Sequence, residues 1–227
     1  MSAQNERRTF LLQASTIIGS ALALPLSAFS LQKEKQQQEE EEVSTNEDLM
    51  REHGVLNRIL LIYDEAGRRI QQKQQFDLAI VTKSAGLIQK FIEEYHEKLE
   101  EDHLFPRFKK AGKLVELVKT LRTQHAAGRI VTGRIQASAK SGNLANLGQD
   151  LAAFIRMYRP HEAREDTVLF PALHEIVSKH EYDALGEQFE QIERKTFAGD
   201  GFDMAVDQVT DLEKQFGIHD LALFTPK

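Results

Sequence analysis

Apolar residues recur every three or four positions along most of the chain after residue 44, which is the period of an amphipathic α-helix. The pattern holds over four long stretches, at roughly 45–73, 77–103, 113–140 and 143–169. Breaks follow the last three stretches, at Phe105-Pro106, Ser141-Gly142 and Phe170-Pro171. Four amphipathic helices of about 25 residues, joined by short loops, predict an all-α fold, an up-down-up-down four-helix bundle.

Local signals mark the ends of the predicted bundle. Ser44, followed three residues later by Glu47, forms a capping box, which predicts that the first helix begins there. Beyond about residue 175 the pattern gives two shorter helices, near 180–195 and 203–216, separated by Gly199-Asp200-Gly201. We therefore predict a bundle over 44–175 and a C-terminal helical extension over 176–227, which caps the bundle or forms an interface.

The first 30 residues have the composition of an export signal. The Arg7-Arg8 pair is followed by a Phe-Leu pair and by a moderately apolar stretch with small residues near its end. This order predicts a signal peptide of the twin-arginine type over 1–30. A membrane anchor is the alternative, but Pro25 and several polar residues make this stretch a weak spanning helix.

Export by this route places the mature protein in the periplasm or outside the cell, with no stable membrane span once the signal is removed. The sequence leaves the cleavage site open among Ala23, Ala28 and Ser30. Residues 31–43 are rich in Gln and Glu and have no apolar period, so we predict a charged linker or a frayed extension of the next helix.

Composition restricts the chemistry that the bundle can carry. The 227 residues include no Cys, 8 His, 29 Lys and Arg, and 35 Asp and Glu, for a formal net charge of −6. The absence of Cys excludes disulfides, zinc-ribbon sites, thiolate chemistry and Cys-ligated iron–sulfur clusters. The acidic balance argues against a nucleic-acid partner. A metal site in this chain must therefore use His and carboxylate ligands.

A repeated sequence supplies both ligand types at helical spacing. Residues 96–106 read HEKLEEDHLFP and residues 161–171 read HEAREDTVLFP, at a constant offset of 65. In each copy a Glu follows a His by four residues, so the two side chains lie one turn apart on the same helix face. Both copies can then reach one point inside a bundle, where bridging carboxylates and terminal imidazoles can hold a metal pair.

Each predicted helix also places one His on its apolar face, and these are His53, His96, His125 and His161. A single such residue is most often a core His whose hydrogen bonds are satisfied. Four of them together with two carboxylates are different, because an unpaired buried carboxylate costs several kcal/mol and a metal ion compensates it. The residues alone therefore predict a nitrogen- and oxygen-ligand site for divalent metal.

These motifs resemble the hemerythrin-like, or HHE cation-binding, domain. The resemblance covers about residues 45–180 and rests on the paired HExxE and LFP segments, with a lone His on the first and third helices. It implies a four-helix bundle around a non-haem di-iron centre, in which two iron ions are held with or without an oxo or hydroxo bridge. The resemblance implies that His53 and His96 hold one iron and that His125 and His161 hold the other. Glu100 and Glu165 would bridge the two irons.

One departure from the family pattern lies on the third helix. The oxygen-carrying members usually have two His one turn apart there, whereas Leu121 and Arg129 flank His125 in this chain. One iron is then left with an open or water-filled position, or Glu97 supplies the missing ligand. Simple reversible oxygen carriage is therefore in doubt. Tyr158 has two open interpretations, core packing or a hydrogen bond near the site.

We expect from these residues an exported non-haem di-iron protein that binds or reacts with a small oxidant: dioxygen, peroxide or nitric oxide. Two other functions stay open, an iron-binding or storage module without redox turnover and a metal-free structural bundle in which the His and Glu pair with each other. No catalytic residue is assigned, and an oxidase or peroxidase-like activity of the iron pair is left open. The expected partner is a small diatomic or peroxide ligand.

Overall fold

The structure is a computed structural model that describes residues 44–226, and within this range every regular element is a helix. Helix α1 spans Thr45–Gln71 and begins where the capping box predicts, because the Ser44 side chain accepts a hydrogen bond from the Glu47 backbone N–H at 3.3 Å. The signal peptide predicted over 1–30 and the linker predicted over 31–43 lie outside the described residues.

Helix α2 is one continuous helical path with changing hydrogen-bond geometry. Its successive segments are Leu78–Leu87, a π-helical stretch Ile88–His96, Glu97–Leu99, a second π-helical stretch Glu100–Leu104, and Phe105–Ala111. The break predicted at Phe105-Pro106 is wrong. Pro106 lies in the first turn of the last segment, where a missing N–H is tolerated, and the helix ends instead at Gly112 with φ 64°.

The other half of the bundle repeats this geometry. Helix α3 spans Val115–Ser141 and ends at Gly142 with φ 70°. Helix α4 begins after the cap residue Asn143, and its segments are Leu144–Arg164, a π-helical stretch Glu165–Leu169, and Phe170–Leu173. The shorter π-helical stretch of α2 and that of α4 each begin at the Glu of the repeated motif and end just before Phe-Pro. The break predicted at Phe170-Pro171 is therefore also wrong, for the same reason.

The four long helices pack around a shared core, with α4 against both α1 and α3, and α2 against α3. Some of the largest side chains of this core are aromatic and almost fully buried, and they are Tyr63, Tyr95, Tyr158, Phe91, Phe108, Phe154 and Phe170. The predicted all-α helical bundle is confirmed. In the described part of the chain no helix is both long and apolar enough to cross a membrane.

The two predicted C-terminal helices are present as α5, Lys179–Phe197, and α6, Gly201–Phe216. They form a hairpin that packs along the side of the bundle, with α5 against α1 and α6 against both α1 and α2. Arg58 on α1 forms an ion pair with Glu213 on α6 at 2.5 Å, and Arg69 donates to the Phe216 carbonyl at 2.9 Å. The extension therefore covers the α1–α2 face.

Candidate metal centre

The structure brings the six predicted ligands together in the middle of the bundle. None of them is more than 4% exposed, although they come from all four helices. Two imidazole pairs face each other across the core, with His53 Nε2 at 3.0 Å from His96 Nε2 and His125 Nε2 at 3.2 Å from His161 Nε2. Each pair is close enough to share one proton or to ligate one cation.

Each predicted bridging carboxylate faces one imidazole of the first pair and one imidazole of the second pair. Glu165 Oε2 lies 3.4 Å from His53 Nε2 and 3.1 Å from His161 Nε2. Glu100 Oε2 lies 3.4 Å from His125 Nε2 and 3.9 Å from His96 Nε2. The six residues divide into two groups that can each hold a metal ion, with ligand atoms within 4.8 Å of one another: His53, His96 and Glu100, and His125, His161 and Glu165.

A closed ring of hydrogen bonds around the centre holds the outer nitrogen of every imidazole. Each helix supplies one acceptor for the Nδ1 of a His on the next helix. The four contacts, in helix order, are Glu52 to His96 at 2.6 Å, Glu101 to His125 at 3.2 Å, Gln124 to His161 at 2.9 Å, and Asp166 to His53 at 2.7 Å. An ionised carboxylate or an amide oxygen at this position keeps the proton on Nδ1 and leaves the Nε2 lone pair directed at the centre.

The inner carboxylates have no such partners. Both oxygens of Glu100 and both oxygens of Glu165 are buried without a hydrogen-bond donor. A buried carboxylate without a donor is costly, and a cation between the two groups compensates it. Four imidazole nitrogens and carboxylate oxygens are a donor set that suits a divalent transition metal. The residues present therefore fit a bound metal pair.

Without metal, protons supply the positive charge that this centre needs. Burial by itself lowers the pKa of His53, but the hydrogen bond to Asp166 and the nearby charge of Glu165 outweigh burial and raise that pKa to about 10. Burial, together with the charge of Glu165, raises the pKa of Glu100 well above its usual value. Burial also raises the pKa of Glu52 to about 8. Metal binding must displace protons from such groups.

The repeated Leu-Phe-Pro segments support the imidazoles from outside the ligand set. The Phe105 ring on α2 stacks on His125 at a centroid distance of 5.5 Å, and the Phe170 ring on α4 stacks on His53 at the same distance. Each copy of the repeat thus contributes a ligand pair to the centre and an aromatic ring that packs on a His of a different helix.

The residues near the missing third-helix His form a separate network. The Tyr158 hydroxyl donates to Glu97 at 2.7 Å, and Arg129 contacts Glu97 at 2.7 Å and Glu101 at 2.8 Å. Of the two interpretations of Tyr158, the structure supports the hydrogen bond. The carboxylate of Glu97 lies beside the centre and, with Glu101 and His125, belongs to a third group that can hold a cation. To ligate a metal, Glu97 must exchange the contacts that it has here.

Sequence reasoning missed the four acceptors of the hydrogen-bond ring. A usable signal was present, because each acceptor is the immediate sequence neighbour of a predicted ligand: Glu52 precedes His53, Glu101 follows Glu100, Gln124 precedes His125 and Asp166 follows Glu165. Neighbouring positions are about 100° apart around a helix, so the ligand points to the centre while its neighbour reaches the adjacent helix.

Comparisons with known proteins agree with this geometry. The profile of the family described as Hemerythrin HHE cation binding domain matches residues 44–173. Uncharacterized proteins of Mycobacterium tuberculosis and Mycobacterium bovis are each 48% identical to this chain over 190 residues, which is 81% of this chain and 74% of theirs. No solved structure matches the chain significantly.

Proposed function

Because the chain belongs to the hemerythrin HHE cation-binding family, we propose that it binds two iron ions at this centre and through them binds or reacts with a small oxidant. The observation that carries the proposal is the ligand geometry: four imidazole Nε2 atoms converge on two buried carboxylates that have no hydrogen-bond donors. In a structural bundle without metal, only protons could compensate those carboxylates, and their oxygens would keep no hydrogen-bond donor.

The proposed ligand set follows the two pairs. His53 and His96 hold one iron, His125 and His161 hold the other, and Glu100 and Glu165 bridge them. Each bridging carboxylate faces one imidazole from each of the two pairs, as a bridge requires. Bound iron supplies the one-electron chemistry with an oxidant that the side chains of the chain itself lack.

The protein's own residues bind, orient and shield. The hydrogen-bond ring fixes the tautomer and direction of each imidazole, and the Phe105 and Phe170 rings restrict the movement of His125 and His53. The surrounding core excludes bulk water, since both bridging carboxylates are fully buried. A dry, rigid site favours a stable metal pair and limits loss of an oxidised product to solvent.

The third-helix departure favours turnover or sensing over reversible carriage. The half of the centre at His125 and His161 has no second His from α3, and Arg129 instead pairs with Glu97 and Glu101 beside it. An imidazole ligand is therefore absent at that half, which leaves room for an external ligand. The same arrangement is compatible with iron storage, so only measurements with oxidants separate the two functions.

Metal analysis combined with visible spectra tests this proposal. We expect about two irons per chain after purification from iron-replete cells, as in other di-iron bundles. The spectrum of the reduced protein should change when dioxygen, peroxide or nitric oxide is added. Two irons with no spectral response to any of the three would favour the storage module. No bound metal at all would favour the structural bundle and contradict the proposal.

We also propose that the chain is exported by the twin-arginine route to the periplasm or beyond. The support is the Arg7-Arg8 pair ahead of the apolar stretch of residues 14–29. Replacing both residues by Lys should retain the protein in the cytoplasm, since this route reads the arginine pair. Cell fractionation with immunodetection measures the distribution. Unchanged export of the double variant would contradict the twin-arginine assignment.

A further inference from the structure

The buried centre must exchange ions with solvent by some path. The ligands are at most 4% exposed, so no ion reaches them unless a side chain moves. On the α1–α2 face the hairpin closes the surface, with Phe189 against the His103 ring and Phe197 against the Tyr95 ring. Within residues 44–226, no element covers the opposite side of α2 in this way, where it meets α3.

A groove lies along that α2–α3 boundary. Its volume is about 670 Å³, and its lining includes Glu93 and Lys98 on α2 and Arg129, Thr132 and Gly133 on α3. Gly133 is exposed, and a Cβ at this position would meet no atom within 4 Å. The groove is therefore wide open at Gly133 and can be narrowed there without disturbing the core.

Arg129 separates this groove from the centre. Its side chain is 31% exposed, yet its guanidinium contacts Glu97 and Glu101, which are almost fully buried. Glu101 in turn accepts from Nδ1 of the predicted ligand His125. One flexible side chain thus reaches from solvent to the carboxylates that border the His125 half of the centre.

A metal ion can take the place of the Arg129 guanidinium beside these carboxylates. Glu97, Glu101 and His125 offer ligand atoms within 4.8 Å of one another. The Arg129 guanidinium pairs with both carboxylates, and Lys98 pairs with Glu101 from the surface at 2.5 Å. When Arg129 swings into the groove, the carboxylates of Glu97 and Glu101 face the opening. A divalent cation supplies more positive charge to these carboxylates than the guanidinium withdraws, so opening and uptake are coupled.

We propose that Arg129 is the gate through which divalent metal passes between the α2–α3 groove and the centre, with Glu97 and Glu101 as the carboxylates that the gate covers. This inference rests on the proposed metal-binding function and adds a route to it. It also assigns a role to Arg129 at one of the two positions where the missing third-helix His could lie.

Another partly exposed residue offers a competing route. Asp166 accepts from His53 Nδ1, and its side chain is 34% exposed on the α4 side of the bundle. Among the described residues its ion pair is with His53 and not with a Lys or Arg, so an incoming metal ion would have no side-chain cation to replace there. Passage along that side would leave metal uptake unaffected by changes in the α2–α3 groove.

Stopped-flow uptake of Co²⁺ by the metal-free full chain tests the gate, because cobalt gives visible bands on binding to nitrogen and oxygen ligands. Arg129→Gln should accelerate uptake, and release to EDTA, by about tenfold, since it removes the guanidinium that bridges Glu97 and Glu101 and leaves only Lys98 on Glu101. Gly133→Leu should slow both by a similar factor, since it fills the groove outside the gate. The control for the first is Arg134→Gln, on the same helix as Arg129, which breaks a surface ion pair with Asp150 on α4.

The control for the groove variant is Gly86→Leu. Gly86 lines a different groove, between α2 and α6, and a Cβ there also meets no atom within 4 Å. Equal final cobalt content with unchanged rates in both Arg129→Gln and Gly133→Leu would overturn the gate while leaving metal binding intact. No cobalt bound by the unmodified chain would instead contradict the proposed function. If Arg129→Gln fails to fold, the rate ratio between Gly133→Leu and Gly86→Leu decides alone.

Discussion

At the scale of single residues, the centre consists of two layers with different requirements. The inner layer has carboxylates without donors, whereas every imidazole in it has its outer nitrogen bonded to a neighbouring helix. The outer hydrogen bonds orient the ligands whether or not metal is bound. The inner carboxylates are compensated only by protons or by metal, so substitutions in the two layers should have different effects.

Removing an inner carboxylate should remove metal and stability together. Glu100→Ala and Glu165→Ala should each lose iron and lower the melting temperature of the loaded protein, because metal binding is coupled to folding. In the metal-free protein Glu100→Ala should cost much less, since it deletes a buried group with no hydrogen-bond donor. Glu165→Ala should keep more of its cost there, because it also removes the carboxylate that raises the pKa of His53. Metal analysis and thermal unfolding with and without chelator measure both effects.

The control for these variants is Glu116→Ala, whose side chain is 86% exposed on α3. It should leave iron content and melting temperature unchanged. Full iron content in both inner-carboxylate variants would show that the bridging assignment is incorrect.

Gly128 is required because Tyr158 occupies the space of its side chain. A Cβ at residue 128 would lie 2.0 Å from the Tyr158 hydroxyl oxygen and 2.8 Å from Cζ. Gly128→Ala should therefore displace the ring, break its bond to Glu97 and destabilise the protein by about 1–3 kcal/mol. Gly67→Ala is the matched control, since its Cβ meets no atom within 4 Å, and it should stabilise α1 by up to about 1 kcal/mol. Urea unfolding gives both free energies, and equal effects would refute the packing argument.

At the scale of helices, periodicity predicted which segments are helical and which residues face inward, but not how the helices pass their prolines. The sequence shows that Pro106 and Pro171 lack an N–H, and a break is the simplest expectation. In the structure the preceding turn widens, so that the Phe105 N–H bonds the Glu100 carbonyl and the Phe170 N–H bonds the Glu165 carbonyl, five residues back. That choice depends on tertiary packing, which periodicity does not encode.

The predictability of the site follows the same division. His53, His96, His125 and His161 were identifiable because burial of a polar residue on an apolar face is visible in a single helix. Their Nδ1 acceptors were not identified, because each one pairs with a different helix and depends on rotation about both helix axes. The side of the bundle that α5 and α6 cover was unpredictable for a related reason, since an amphipathic hairpin specifies an apolar face but not its partner.

The hairpin should contribute to the stability of the whole bundle. Phe189 on α5 is 1% exposed and its ring packs against His103 on α2. Phe189→Ala should therefore lower the free energy of unfolding by about 3–5 kcal/mol, in one cooperative transition with the bundle. Phe224→Ala, at a ring that is 51% exposed, should change it by less than about 0.5 kcal/mol. Separate transitions for the hairpin and the bundle, measured by calorimetry, would show that the two fold independently.

At the scale of the whole molecule, the packing of the hairpin on α1 concentrates acidic groups on one side of the metal centre. Burial and the charge of Glu52 raise the pKa of Asp48 on α1 to about 7, and the charges of Glu190 and Asp200 raise it by smaller amounts. The pKa of Glu193 on α5 is raised to about 7, mainly by burial and further by the charges of Asp200, Glu52 and Asp48. Arg51 is the nearby cation, 3.9 Å from Asp48. The assembly of bundle and hairpin thus costs stability whenever these carboxyls are ionised.

This arrangement gives stability a definite dependence on pH. A carboxyl whose pKa is higher in the folded than in the unfolded protein binds more protons when folded, so stability falls as pH rises from about 4 to about 7.

Asp48→Asn removes the ionisation and should weaken that fall. Each pKa unit corresponds to about 1.4 kcal/mol, and screening at the part-exposed side chain reduces the total, so we expect a gain of about 2 kcal/mol over the unmodified chain above neutral pH and little gain at about pH 4. Urea unfolding of the metal-free protein across this range measures the difference, with Asp207→Asn as the control at an exposed position of α6. A gain that is the same at both ends of the range would mean that Asp48 acts through packing and not through its charge, and the acidic side of the hairpin would then have no part in the pH response.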